Sequence, residues 1–135
     1  MNFMKRIDVV CGVIYNTKNQ ILITQRGDIK NYGKWEFPGG KVNSKEPLSD
    51  SIKREIMEEL SIVIKVKERL FENEIVIDNN IYNLIFLSCL FDSGEIVLKE
   101  HLKYEWIELD TINEFNFLKG DEEFIRQLLN GKIHG

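Results

Sequence analysis

From residue 47 to residue 60 (PLSDSIKREIMEEL), Leu48, Ile52, Ile56 and Leu60 recur at every fourth position, which predicts a helix with a single apolar stripe. Pro47 suits its first turn, where the missing N–H would have no partner. Such a stripe must be laid on another layer, and the rest of the chain supplies strands for it. Residues 7–15 (IDVVCGVIY) and 20–26 (QILITQR) read as a hairpin closed by the turn chemistry of Asn16 to Asn19. Residues 62–77 and 81–91 read as a longer hairpin, closed by Asp78-Asn79-Asn80. After the Ser93-Gly94 turn, 95–99 (EIVLK) and 104–109 (YEWIEL) read as two further short strands. A polar loop over 27–34 leads to the apolar patch Trp35 to Phe37, and Pro38-Gly39-Gly40 then breaks the chain. A second helix is expected over 121–130, with Asp121 as N-cap and Gly131 past its end. The order strands, helix, strands, helix predicts an α+β fold with helices covering the sheet.

At 135 residues the chain suits one domain, 1–135, with no linker or repeat. Apolar residues make up 43% and charged residues 30%, enough for an ordinary core. A net charge of -4 argues against a binder of polymeric nucleic acid, which needs a basic face against the phosphates. It leaves room for a small anionic ligand, because bound cations reverse the field inside a cleft. Cys11 and Cys89 lie far apart in apolar runs and read as buried free thiols. No segment reaches transmembrane length and the first residues hold no long apolar run, so no membrane partner and a cytoplasmic location are expected. The partner is then a small molecule, and the chain a monomer or homodimer. His101 reads as a loop residue and His134 as part of a tail.

The helix also carries Glu55, Glu58 and Glu59. At about 100° per residue, measured from Glu55, the stripe occupies roughly 20° to 140°. Glu59 falls at about 40°, inside it; Glu55 lies at its edge and Glu58 about 60° beyond. Charged helix residues ordinarily form a solvated face with i,i+4 pairs. Glu59 cannot join such a face without leaving the leucines and isoleucines around it. Three carboxylates within five residues repel one another, and a partly buried one must bind a proton or find a cation. A hard divalent ion with oxygen ligands, Mg²⁺ or Mn²⁺, answers both needs.

The spacing Gly40, Glu46, Arg54-Glu55-Ile56, Glu58-Glu59, Ser61-Ile62 resembles the signature of the Nudix hydrolases, departing from it only at Ser61, where the family has glycine. Gln25-Arg26, the run Trp35 to Val42, and Lys99-Glu100 before Tyr104-Glu105-Trp106 resemble the MutT-like branch. The resemblance covers about Ile7 to Leu129 and implies the Nudix fold, a mixed β-sheet sandwiched between helices (α/β/α). It implies metal binding by Glu58 and Glu59, a backbone carbonyl ligand from Gly39 or Gly40, and either a ligand or the base at Glu55. Glu46 and Arg54 match an internal ion pair of structural role. Glu100 matches a late loop glutamate that reaches the metal or acts as base. Arg26 and Lys41 are candidates for phosphate contact. The implied reaction is Mg²⁺-dependent hydrolysis of a nucleoside triphosphate to the monophosphate and pyrophosphate.

Specificity is expected at the start of the last helix. By the same resemblance Asp121 falls at the base-reading position, and a simple N-cap is the alternative. A carboxylate there accepts from cytosine N4 or, if protonated, addresses an oxopurine edge. Phe37 is a candidate for stacking on the base or else for the core. Three functions follow: a sanitiser of damaged triphosphates such as 8-oxo-dGTP, a pyrophosphohydrolase of (d)CTP or modified cytosine nucleotides, and an inactive nucleotide-binding module. The last conflicts with the presence of Glu55, Glu58, Glu59 and Glu100 together.

Overall fold

The computed structural model describes residues 4–133, so His134 lies outside the described residues. Seven strands form one mixed sheet: β1 (Lys5–Tyr15), β2 (Ile21–Gln25), β3 (Trp35–Glu36), β4 (Gly39–Lys41), β5 (Val63–Ile77), β6 (Asn80–Ser93) and β7 (Lys103–Ile107). Its main path runs β3-β2-β1-β6-β5, with β4 on β1 and β7 on β2. Among the described residues the named strands β1 and β6 pair in parallel, and the other named strand pairs are antiparallel. Helix α1 (Leu48–Leu60) covers one face and α2 (Glu122–Leu129) the other.

Strand alternation builds the two cores. Val10 and Ile14 of β1, Leu22 of β2 and Ile85, Leu87 and Cys89 of β6 turn toward α1, where Ile52, Ile56 and Leu60 meet them with no exposed surface. Each of these helix side chains contributes about 1.5–3 kcal/mol by leaving water. Cys11, Val13, Ile21, Ile23, Leu84 and Phe86 turn the other way, toward Phe124, Ile125 and Leu128 of α2. Phe86 and Phe124 stack there, with ring centroids 4.3 Å apart. The expected α/β/α sandwich is therefore present. Cys11 and Cys89 are buried free thiols, one in each core. Among the described residues no helix is long and apolar enough to cross a membrane.

Two local expectations are corrected. Gly39 and Gly40 do not simply break the chain: with Lys41 they form β4, paired to Val9, Val10 and Cys11. Side chains are excluded there because the strands run so close that a methyl on Gly39 would strike the Val10 carbonyl. Residues 95–99 are not a strand. Val97 N–H donates to Leu60 O (3.0 Å) and Lys99 N–H to Glu59 O (3.3 Å), so this segment satisfies carbonyls that the end of α1 leaves without intrahelical partners. Two short 3-10 turns, Leu109–Glu114 and Lys119–Asp121, were not anticipated.

Ser61 ends α1 with φ 60 and ψ 29, the left-handed conformation that favours glycine, and its N–H bonds Met57 O. The backbone keeps the geometry expected of glycine and serine carries the steric cost. Ser61→Gly removes that cost but adds freedom to the unfolded chain. A net gain of about 0.5 kcal/mol is expected, read as a melting temperature about 2 °C higher.

Candidate active site

The burial of the three helix glutamates follows their angular positions. Glu58 is 59% exposed and lies 3.3 Å from Arg54 Nη1, whereas Glu55 is 16% exposed. Glu59 turns inward, and its Oε2 is buried without a hydrogen-bond partner. It shares a small cleft of about 100 Å³ with Arg26, Gly27, Asp28, Glu36, Glu100 and His101. Burial first, then the charges of Glu36, Glu55 and Glu100, push the Glu59 carboxyl up to about 8, with Arg26 pulling the other way.

Glycine at position 40 gives Glu55 its place. A methyl there would collide with the Glu55 carboxylate, so the acid rests directly against the β4 main chain. Glu46 and Arg54 form the expected pair, with Nε to Oε2 at 2.9 Å and Nη2 to Oε1 at 3.0 Å. Arg54 also donates to Glu55 (2.8 Å) and to the Lys41 carbonyl (3.1 Å), lacing the loop after β4 to the helix. Arg54 and the Asn43 N–H hold the Glu46 carboxyl down at about 2. That contribution to stability is present above the ordinary Glu value of 4.5 and is lost as pH falls through about 2. In Arg54→Gln the Glu46 resonance is expected to titrate back toward 4.5, and activity to fall as the loop loosens; NMR titration and a turnover assay check both.

Glu59, Glu100 and Arg26 are thus brought together, with Glu55 and the Gly39-Gly40 main chain alongside. Lys41 has an exposed side chain and joins the network through its carbonyl. The Phe37 ring belongs to the core, packed on Phe86, Phe117 and Phe124. Asp121 stands before α2 without the expected capping bond. It is 4% exposed, and its Oδ2 is buried without a partner. Burial, then the Glu36 charge, raise this carboxyl well above the usual range, while the Phe37 N–H that bonds it works in the opposite direction.

Gly27, Asp28, Glu36 and His101 of the cleft were not singled out from the sequence as site residues. Glu36 on β3 accepts from Arg26 (3.1 Å) and from His101 Nε2 (2.7 Å). His101 does lie in a loop, yet its side chain is only 5% exposed. The one available signal for Glu36 is its place inside the Trp35 to Val42 run.

A hard cation fits this chemistry. Carboxylates gather around Glu59 against a single arginine that offsets them, and one acidic oxygen is buried unbonded. Among the described residues, no three acidic, histidine or cysteine side chains are drawn into an arrangement able to hold an ion. Glu58, turned to Arg54, is the expected ligand that stands apart from the cleft.

Comparison with known proteins agrees with the geometry. The model of the NUDIX domain matches residues 5–128. An 8-oxo-dGTP diphosphatase of Buchnera aphidicola subsp. Schizaphis graminum is 37% identical over 126 residues, covering 93% of this chain and 95% of that protein. A CTP pyrophosphohydrolase of Escherichia coli is 32% identical over 119 residues, covering 87% of each. In fold, the chain is similar to the MutT protein of Methanosarcina mazei, with a TM-score of 0.85, 24% identity and coverage of 98% and 99%. The signature on α1, the sandwich that presents it and a family match over nearly the whole length lead to one assignment: the chain is a hydrolase of the Nudix family.

Proposed function

We propose that this hydrolase acts on damaged or noncanonical nucleoside triphosphates, 8-oxo-dGTP foremost, and releases the monophosphate and pyrophosphate with Mg²⁺ as its metal. The observation that carries this is the buried, unbonded oxygen of Glu59, facing other carboxylates beside Arg26. Nudix hydrolases generally use divalent metals. Glu59 would hold the ion with a carbonyl of Gly39 or Gly40, Glu58 would join them by turning from Arg54, and Mn²⁺ would serve in place of Mg²⁺. Bound there, it would neutralise phosphate charge and acidify a water. Glu55 or Glu100, each a carboxylate within the same charge cluster, would accept the proton of an attacking water. Arg26 and Lys41 supply positive charge to the phosphates, and Glu46 and Arg54 hold the loop.

Asp121 supports the choice of base. Burial and the Glu36 charge hold its carboxyl well above the usual carboxylate range and so favour the neutral acid, which both donates and accepts a hydrogen bond and suits an oxopurine edge. A second reading, cytosine nucleotides, draws on the relative named as a CTP pyrophosphohydrolase. The cytoplasmic nucleotide pool is the setting that fits either substrate. Pyrophosphate release with Mg²⁺ across 8-oxo-dGTP, dGTP, dCTP and CTP separates them. We expect kcat/KM at least about tenfold higher for 8-oxo-dGTP than for dCTP, the scale set by one buried hydrogen-bonding contact. A preference for dCTP would install the second reading, and no turnover of any nucleotide would defeat both.

A further inference from the structure

We propose that His101 is a positioning residue of the hydrolytic reaction, setting the place of Glu100 by tying its loop to Glu36. The inference rests on the role given to Glu100 above. Glu100 lies on no strand; its stretch joins β6 to β7 and is held at backbone points on either side. Upstream, Lys99 N–H bonds Glu59 O on α1 (3.3 Å). Downstream, Leu102 N–H bonds Gln25 O on β2 (2.9 Å). Between these pins stand Glu100 and His101, both lining the cleft.

The imidazole is the side-chain fastening for that interval. A carboxylate can only accept, so His101 Nε2–H donates to Glu36 Oε2 at 2.7 Å. Glu36 is itself a fixed point: its β3 backbone pairs with Thr24 of β2, and its other oxygen accepts from Arg26. One buried acid therefore holds the phosphate-side arginine and the Glu100 loop together. Packing alone does not account for the histidine. Its Nδ1 is buried without a hydrogen-bond partner, a penalty that an apolar side chain of similar size would avoid. The polar contact through Nε2 is what the position retains.

Two amides of the same chemistry and different reach test this. A glutamine amide nitrogen comes near the place of Nε2, whereas that of asparagine reaches only the region of Nδ1. In the full chain with Mg²⁺ and 8-oxo-dGTP, His101→Asn is expected to lower kcat about 10- to 100-fold, with KM changed less than about threefold. His101→Gln is expected to keep kcat within about fivefold of the parent. Since His101 acts through Glu100, adding His101→Asn to Glu100→Gln should slow that variant no further. Equal losses in the two amide variants, a rise in KM at constant kcat, or multiplying losses in the double variant would overturn the proposal. A fully active Glu100→Gln overturns it too, along with the role of Glu100, while leaving hydrolysis of the nucleotide in place. A parent chain that hydrolyses no nucleotide removes both readings together.

Discussion

Glu59→Gln is expected to lower kcat/KM by roughly 10²- to 10³-fold or more, the scale of losing a group that stabilises charge in the transition state. Glutamine matches the size of glutamate but cannot neutralise a cation. The same substitution should leave the fold intact and make the metal-free protein more stable. The Glu59 carboxyl sits at about 8 rather than its ordinary 4.5, chiefly through burial. An unfolded chain releases this proton above 4.5, whereas the folded chain retains it to about 8, so stability declines across that interval. The amide has no proton to release, and its advantage is therefore greatest at pH 8 and absent near pH 4. Thermal melts with and without Mg²⁺ provide the second readout. The ion should raise the melting temperature of the parent and move that of Glu59→Gln much less. A variant that hydrolyses nucleotide at the parent rate would falsify the ligand assignment.

The second large effect is expected at Asp121. Its carboxyl is raised well above 3.8 by burial and by the Glu36 charge. The folded chain therefore holds a proton that the unfolded chain loses as pH climbs past 3.8. Stability falls by up to about 1.4 kcal/mol per pH unit through this window and levels off only above the folded value. Asp121→Asn deletes that slope. It keeps an acceptor for the Phe37 N–H and places a neutral amide where Oδ2 now lies unbonded. The variant should match the parent near pH 4 and exceed it increasingly as the pH is raised toward 8, measured by urea unfolding at several pH values. Because an amide also donates and accepts, turnover of 8-oxo-dGTP should survive the change. Parallel pH profiles for the two proteins would show that Asp121 titrates normally.

What could be read without coordinates was whatever depends on local geometry. The stripe of α1 and the inward turn of Glu59 both follow from one helical angle, and Glu59 Oε2 is indeed buried. Asp78 and Asn79 adopt the positive φ values that their residue types permit, closing the β5–β6 hairpin. The Glu46–Arg54 pair was implied by the family signature. Contacts that bridge distant residues were not legible. Nothing near Glu36 or His101 in the sequence announces their bond, because the partners are 65 positions apart. Residues 95–99 have strand-like composition, but composition does not reveal that their N–H groups face a helix end rather than a sheet edge. Asp121 shows the same limit from the other side: a good N-cap residue by local rule, it is held instead by tertiary burial.

The parallel β1–β6 ladder has a bearing on how the protein comes into being. Lys5 lies beside Asn80 and Tyr15 beside Leu90, so β1 waits, as the chain is made, for a partner strand far downstream of it. Both cores rest on this pair, and the cleft draws on positions from Arg26 to His101. A nascent chain that stops short of β6 has the acidic helix but lacks Ile85, Leu87 and Cys89 from the floor beneath it, and hydrolytic competence therefore waits for β6 and the loop that follows.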